Sequence, residues 1–124
     1  MPKRPSKNEI TKKVHSGLEA VRANRRSFAV RKHLTDDLDQ LDLASEDDYW
    51  KLIESFLGEI IAANPLACYA GSFPPKRSYE DGIKPAELWA YAWESPSQNE
   101  RMYLKFVLKD GWYFHVDCHE SSEK

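Results

Sequence analysis

The sequence predicts an α+β fold in which N-terminal helices pack on a C-terminal antiparallel sheet of at least three strands. Two patterns carry this: apolar residues recur at helical spacing as far as Ile61, and from Glu87 onward they alternate with a period of two. The length supports it, since 124 residues with 41% hydrophobic content suit one domain around a single core.

Residues 1–8 are rich in Pro, Lys and Ser and read as a disordered basic tail ahead of a single domain over residues 9–124. Ser6-x-x-Glu9 has the form of a capping box, and behind it Ile10, Val14, Leu18 and Val21 mark a first helix to about residue 23. The stretch from Ser27 to Leu34 has no clear phase. Thr35 with Asp36 and Asp37 opens a short acidic helix carrying Leu38 and Leu41. Ser45 and Asp48 form a second capping pair before the clearest helix, whose apolar stripe is Tyr49, Ile53, Phe56, Leu57, Ile60 and Ile61 and whose end is Asn64-Pro65. Residues 65–85 read as an irregular loop containing Gly71, Pro74-Pro75, Lys76-Arg77 and Asp81-Gly82, and a loop this long in a small domain is functional or disordered. Strands follow at about 87–94, 101–108 and 112–119, joined by Ser95-Pro96-Ser97 and Lys109-Asp110-Gly111.

Charge narrows the partners. The net charge is -2, yet residues 1–33 hold ten Lys and Arg against Glu9 and Glu19, net +8, which leaves -10 for the rest. A chain polarised in this way can offer its basic end to nucleic acid or to an acidic protein, or simply carry a solvated basic face. Two cysteines, Cys68 and Cys118, are too few for a disulfide scaffold or a cysteine-based zinc site. No apolar run approaches the ~20 residues of a membrane span, and a cytoplasmic protein with free thiols and no membrane partner is expected. Gly-rich phosphate loops, a Gly-x-Ser-x-Gly elbow and His-Glu-x-x-His are all missing.

The last hairpin decides which side chains meet. A two-residue Asp110-Gly111 turn would mix Met102, Leu104, Phe106 and Leu108 with His115, Asp117 and His119 on one face. A three-residue loop with Gly111 left-handed instead collects Met102, Leu104, Phe106, Leu108, Trp112, Phe114, Val116 and Cys118 as a core face, so this register is expected. The opposite face then holds Arg101, Tyr103, Lys105, Tyr113, His115, Asp117 and His119. Lys105 faces His115, Tyr103 faces Asp117 and Arg101 faces His119, each within about 5.5 Å at Cβ. Such a cluster has the ingredients of acid–base and phosphate chemistry, while a sheet face that is merely wet needs no function. His115-x-Asp117-x-His119 also suggests a metal, but histidines four apart on a strand are about 13 Å distant, too far for one ion, and no metal or other cofactor is expected. Trp89, Tyr91 and Trp93 can stack bases or form one large-residue face against the helices; Lys76 and Arg77 can clamp phosphate or lie solvated.

Leu88-Trp89, then Met102-Tyr103-Leu104-Lys105-Phe106, then a final strand ending His119-Glu120 resemble the MqsR-type toxins of bacterial toxin–antitoxin pairs, which have the RelE-like layer-sandwich fold. The resemblance covers roughly residues 76–120 and rests on short motifs. It implies a metal-independent endoribonuclease, an mRNA interferase, in which the ribose 2′-hydroxyl attacks the adjacent phosphate. It also implies two partners, a cognate antitoxin and mRNA, free or on the ribosome. Tyr103 and Lys105 match the family's Tyr-x-Lys, His119 falls where the family has a catalytic lysine, and Lys76 lies near its basic loop residue. The chain departs from the family at Ala90, where Gln is usual, and in its net acidity. On chemical grounds His119 or His115 suits proton transfer near neutrality better than lysine. Lys105, Arg101, Lys76 and Arg77 suit phosphate binding, Tyr103 suits positioning or stacking, and Asp117 would orient a histidine. The alternative is a non-catalytic interaction module: an immunity, antitoxin-like or adaptor protein.

Overall fold

The computed structural model describes residues 5–29, 34–78 and 83–121. The order is α1 (Lys7–Arg22), β1 (Arg26–Phe28), α2 (Leu34–Gln40), α3 (Glu46–Ala62), α4 (Pro65–Cys68), β2 (Leu88–Ser95), β3 (Glu100–Lys109) and β4 (Trp112–Glu120). The sheet order is β1-β4-β3-β2. The three C-terminal strands are antiparallel neighbours as expected, and β1 adds a parallel edge beside β4 with Ser27 opposite Phe114.

Both capping pairs act as the sequence indicates. Ser6 Oγ accepts from the Glu9 amide at 3.1 Å and Ser45 Oγ from the Asp48 amide at 3.2 Å, each satisfying a helix-end N–H that has no intrahelical partner. The first helix therefore starts within the expected tail: Lys7 and Asn8 belong to it, and residues 1–4 lie outside the described residues. Asn64-Pro65 ends α3 but also caps α4, through Asn64 Oδ1 and the Leu66 amide. The Asp81-Gly82 turn lies outside the described residues.

One layer of helices, α1 and α3, covers one face of the sheet. Val14, Val21, Ile53, Phe56, Leu57 and Ile60 meet Trp89, Tyr91, Trp93, Met102, Leu104 and Phe106 in a single core, so the aromatic stripe of β2 is a packing face. Gly17 lets α1 approach closely; a Cβ there would lie 3.3 Å from the Tyr113 ring.

The hairpin register differs from expectation. Lys109 pairs with Trp112 across a two-residue Asp110-Gly111 turn whose φ values, 55° and 80°, are both left-handed, as a type I′ turn requires. The mixing of apolar and charged residues that argued against this turn is relieved further along. A bulge at Val116 lets Phe106 pair with His115 and Lys105 with Asp117, so β4 changes phase in mid-strand. Before the bulge Tyr113 and His115 enter the core; after it Cys118 does, as expected. Trp112, Phe114 and Val116 are thus not core-facing residues of the expected kind, and Trp112 is 40% exposed.

The outer edge of β2 is closed by the preceding loop. The Ala70 amide donates to Ala90 O at 2.8 Å, Leu88 N donates to Lys76 O at 2.7 Å, and Ser78 N donates to Ala86 O at 2.8 Å. These bonds satisfy an otherwise open edge and hold residues 70–76 beside the helix-free face of the sheet.

Candidate functional site

The helix-free face is where the polar residues collect. Tyr103 pairs with His119 and Ala92, and Lys105 with Asp117 and Ala90. The partners expected were Asp117 for Tyr103, His115 for Lys105 and His119 for Arg101; the shorter turn shifts the register by one residue and the bulge by one more, so His119 faces Tyr103 and Asp117 faces Lys105. The Tyr103 and His119 rings stack at 5.0 Å with an interplanar angle of 20°. His119 Nε2 lies 3.5 Å from Asp117 Oδ2, with both side chains about half exposed.

His119 Nδ1 is 2.8 Å from the Glu120 carbonyl oxygen. A carbonyl can only accept, so Nδ1 carries a proton and Nε2 is the nitrogen left to exchange one, facing a carboxylate. Burial, and then the charge of Asp117, push the Tyr103 phenol above its ordinary pKa of 10.0. Tyr103 is therefore a hydrogen-bond donor at neutral pH, not a phenolate.

Beside this cluster is a hollow of about 340 Å³ lined by Ala70, Gly71, Ser72, Lys76, Leu88, Ala90, Tyr103 and Lys105. It exists because β2 alternates large core residues with small ones: Ala90 and Ala92 leave space beside the longer Tyr103 and Lys105 of β3. Loop 70–76 forms the facing wall. Gly71 is required there, since a Cβ would come within 2.6 Å of Tyr69 Oη, whose hydroxyl donates to Ser72 O at 2.6 Å.

Of the residues singled out by sequence, Lys76, Tyr103, Lys105, Asp117 and His119 come together here. Arg101 lies at the far end of the same β3 row, with Nη1 3.7 Å from Glu94 Oε1. Arg77 does not line the hollow; its backbone pairs antiparallel with that of Glu87 beside β2, and its Nη1 donates to Pro85 O at 3.0 Å. His115 is not in the cluster at all. It is 2% exposed in the core, with Nε2 2.9 Å from Tyr49 Oη, and burial lowers its pKa to about 3, so it cannot shuttle protons to a surface substrate.

Three arginines of the basic N-terminal region are engaged within the fold. Arg22 Nε pairs with Glu54 at 3.1 Å, Arg25 Nε donates to Gly111 O at 3.0 Å, and Arg26 Nη1 donates to Val21 O at 3.0 Å beside the Trp50 ring. Among the described residues no three His, Cys, Asp or Glu side chains are grouped as a metal site would require. No helix among them is long and apolar enough to cross a membrane. Cys68 and Cys118 are both buried and free, and burial pushes both thiols above their ordinary pKa.

Sequence reasoning missed the backbone wall at Gly71 and Ser72 and the hollow itself. The alternation of alanines with Trp89, Tyr91 and Trp93 was the readable signal. Comparison of the chain with protein-family models, curated proteins and solved structures gives no match.

Proposed function

We propose that the protein is a small metal-independent endoribonuclease that cleaves mRNA by 2′-hydroxyl attack, acting as the toxin of a toxin–antitoxin pair in the cytoplasm. The observation that carries this reading is that Lys76, Tyr103 and Lys105 line one hollow, with the Asp117–His119 pair directly beside Tyr103. In this reading His119 Nε2 takes the proton of the 2′-hydroxyl, whose oxygen forms a bond to phosphorus, and Asp117 stabilises the imidazolium that results. Lys76 and the Tyr103 hydroxyl bind the non-bridging oxygens as charge builds on them. The bond from phosphorus to the 5′-oxygen breaks, and that oxygen takes a proton from the Lys105 ammonium. The products are a 2′,3′-cyclic phosphate and a 5′-hydroxyl. An antitoxin would neutralise the protein by covering this face.

The test is incubation of purified protein with mRNA in the presence of a chelator, with and without ribosomes, and identification of the new ends. Cyclic phosphate ends that disappear with Lys105→Ala, with His119→Ala and with a 2′-deoxy nucleotide at the cut support the reading. Intact RNA under every condition overturns it. A non-catalytic interaction module is the second reading; intact RNA under every condition together with a co-purifying protein would favour it.

A further inference from the structure

The helix-free face carries two parallel tracks that the chemistry proposed above does not use in full. Along β3 the outward row places Arg101, Lys105 and Lys109 four residues apart, about 13 Å per step on a strand. Along β4 the same face presents rings, Trp112 and Phe114 before the bulge and His119 after it. Trp112 and Phe114, with Ser27, Lys109 and Asp110, line a second shallow hollow of about 440 Å³. The other three tryptophans, Trp50, Trp89 and Trp93, are buried at 6%, 1% and 2% exposure, whereas Trp112 stands at 40%. An indole held on a strand, cross-strand from a lysine and on the same face as the proposed phosphate-binding cluster, has the composition of a single-strand platform. Bases stack on the rings while cations follow the backbone. Of the acidic side chains on these strands, Glu94 lies beside Arg101 and Asp117 beside His119 rather than in a run of their own.

We infer that Trp112 and Phe114 form a stacking subsite for unpaired bases flanking the cleavage point, so that the substrate is single-stranded RNA laid along β3 and β4. The inference rests on the proposed ribonuclease reading for its ligand, but on a different part of the face. The bulge at Val116 is what makes it possible, since it turns the rings and the Asp117–His119 pair to the same side.

The probe is a ten-nucleotide single-stranded RNA with 2′-O-methyl riboses, which lacks the attacking hydroxyl and stays intact. Titration should quench the tryptophan fluorescence of the wild type. Trp112→Ala should weaken binding by about 5-fold or more, the usual scale for one stacked base, and remove the quenching, whereas Trp112→Tyr should bind nearly as the wild type does. The same RNA as a duplex should bind more weakly than the single strand. Equal affinity of Trp112→Ala and wild type, or no response of the wild type to the oligonucleotide, overturns the subsite. A Trp112 signal that changes with protein concentration alone also overturns it and assigns the face to a second copy of the chain. Cleavage of unmodified RNA, followed in parallel, separates the two ideas. Cleavage with unaltered affinity in Trp112→Ala sinks only the subsite, and stacking without cleavage sinks only the ribonuclease reading.

Discussion

Tyr49 Oη and His115 Nε2 lie 2.9 Å apart in the core, and this contact joins α3 to β4 at the residue just before the bulge. The proton directions follow from the neighbours. The Tyr49 hydroxyl donates to Asp37 Oδ2 at 3.1 Å, so His115 Nε2 must donate to Tyr49, which leaves Nδ1 to accept from the Tyr113 hydroxyl at 3.4 Å. The chain Tyr113, His115, Tyr49, Asp37 is one directed series in which every buried polar atom has a partner, and it also tethers α2, a helix with no fully buried residue.

Tyr49→Phe should therefore destabilise the protein by about 1–3 kcal/mol, because it strands the His115 N–H in an apolar core. Urea unfolding at neutral pH measures this. Amide exchange in α2 should rise in the variant, since Asp37 loses its anchor; unchanged exchange would mean that Leu34 and Leu38, which pack on the core, hold the helix without it.

Acid should weaken the fold through His115. Its pKa falls from 6.5 to about 3 on burial, so between those values the unfolded chain binds a proton that the native state refuses. Stability is fully present above about 6.5 and declines as pH falls through that window, with a slope of about 1.4 kcal/mol per pH unit for one proton. Urea midpoints at pH 4 and pH 7 should differ by less in His115→Gln than in the wild type. Equal pH dependence in the two would remove His115 as the cause.

Glu59 should matter to the β2–β3 turn. Its Oε1 accepts from Trp93 Nε1 at 2.9 Å and from Ser95 Oγ at 2.6 Å. Burial alone would raise its pKa, but the hydrogen bonds from Ser95, Ser97 and Trp93 outweigh burial and lower it. The lowered value means that this contribution is present above the ordinary carboxylate range and is lost as pH falls through it. Glu59→Ala should lower stability by about 1–2 kcal/mol at pH 7, with a smaller loss for Glu59→Gln, both read by thermal unfolding.

Gly71→Ala should deform the site wall. A Cβ at 2.6 Å from Tyr69 Oη cannot be accommodated unless the Tyr69 ring or the loop moves. We expect a stability cost of about 1–3 kcal/mol, and Tyr69→Leu in the same chain should recover part of it. Thermal melts of the single and double variants decide between a steric cause and a backbone one.

Gly111→Ala should cost about 1 kcal/mol for a different reason, the left-handed φ of 80° that the hairpin turn imposes. Asp110→Asn should be neutral or stabilising, because Asn tolerates the left-handed conformation at least as well. A stabilised Gly111→Ala would argue against the type I′ turn in solution.

Local signals were the legible ones. Ser6 and Ser45 announced two helix starts, the stripe from Tyr49 to Ile61 announced α3, and the period-two alternation located three strands to within two residues at each end. The candidate site was legible in part: Tyr103, Lys105, Asp117 and His119 share a face as alternation on β3 and β4 suggested. The placement of His115 was not, because alternation holds only while the strand keeps its phase, and nothing local marks Val116 as the extra residue.

What the sequence determined alone was everything carried by neighbours within a turn or a pleat: helix caps, apolar stripes, the three C-terminal strands and the order of helices before that sheet. The tertiary structure decided the rest. β1 has three residues and forms only because β4 offers a partner; the bulge persists because it lets Tyr113, His115 and Cys118 all enter one core. Loop 70–76 stands beside Lys105 because the edge of β2 needs hydrogen bonds. Each depends on groups far apart in the chain satisfying one another, and such energies are absent until the fold brings the groups together.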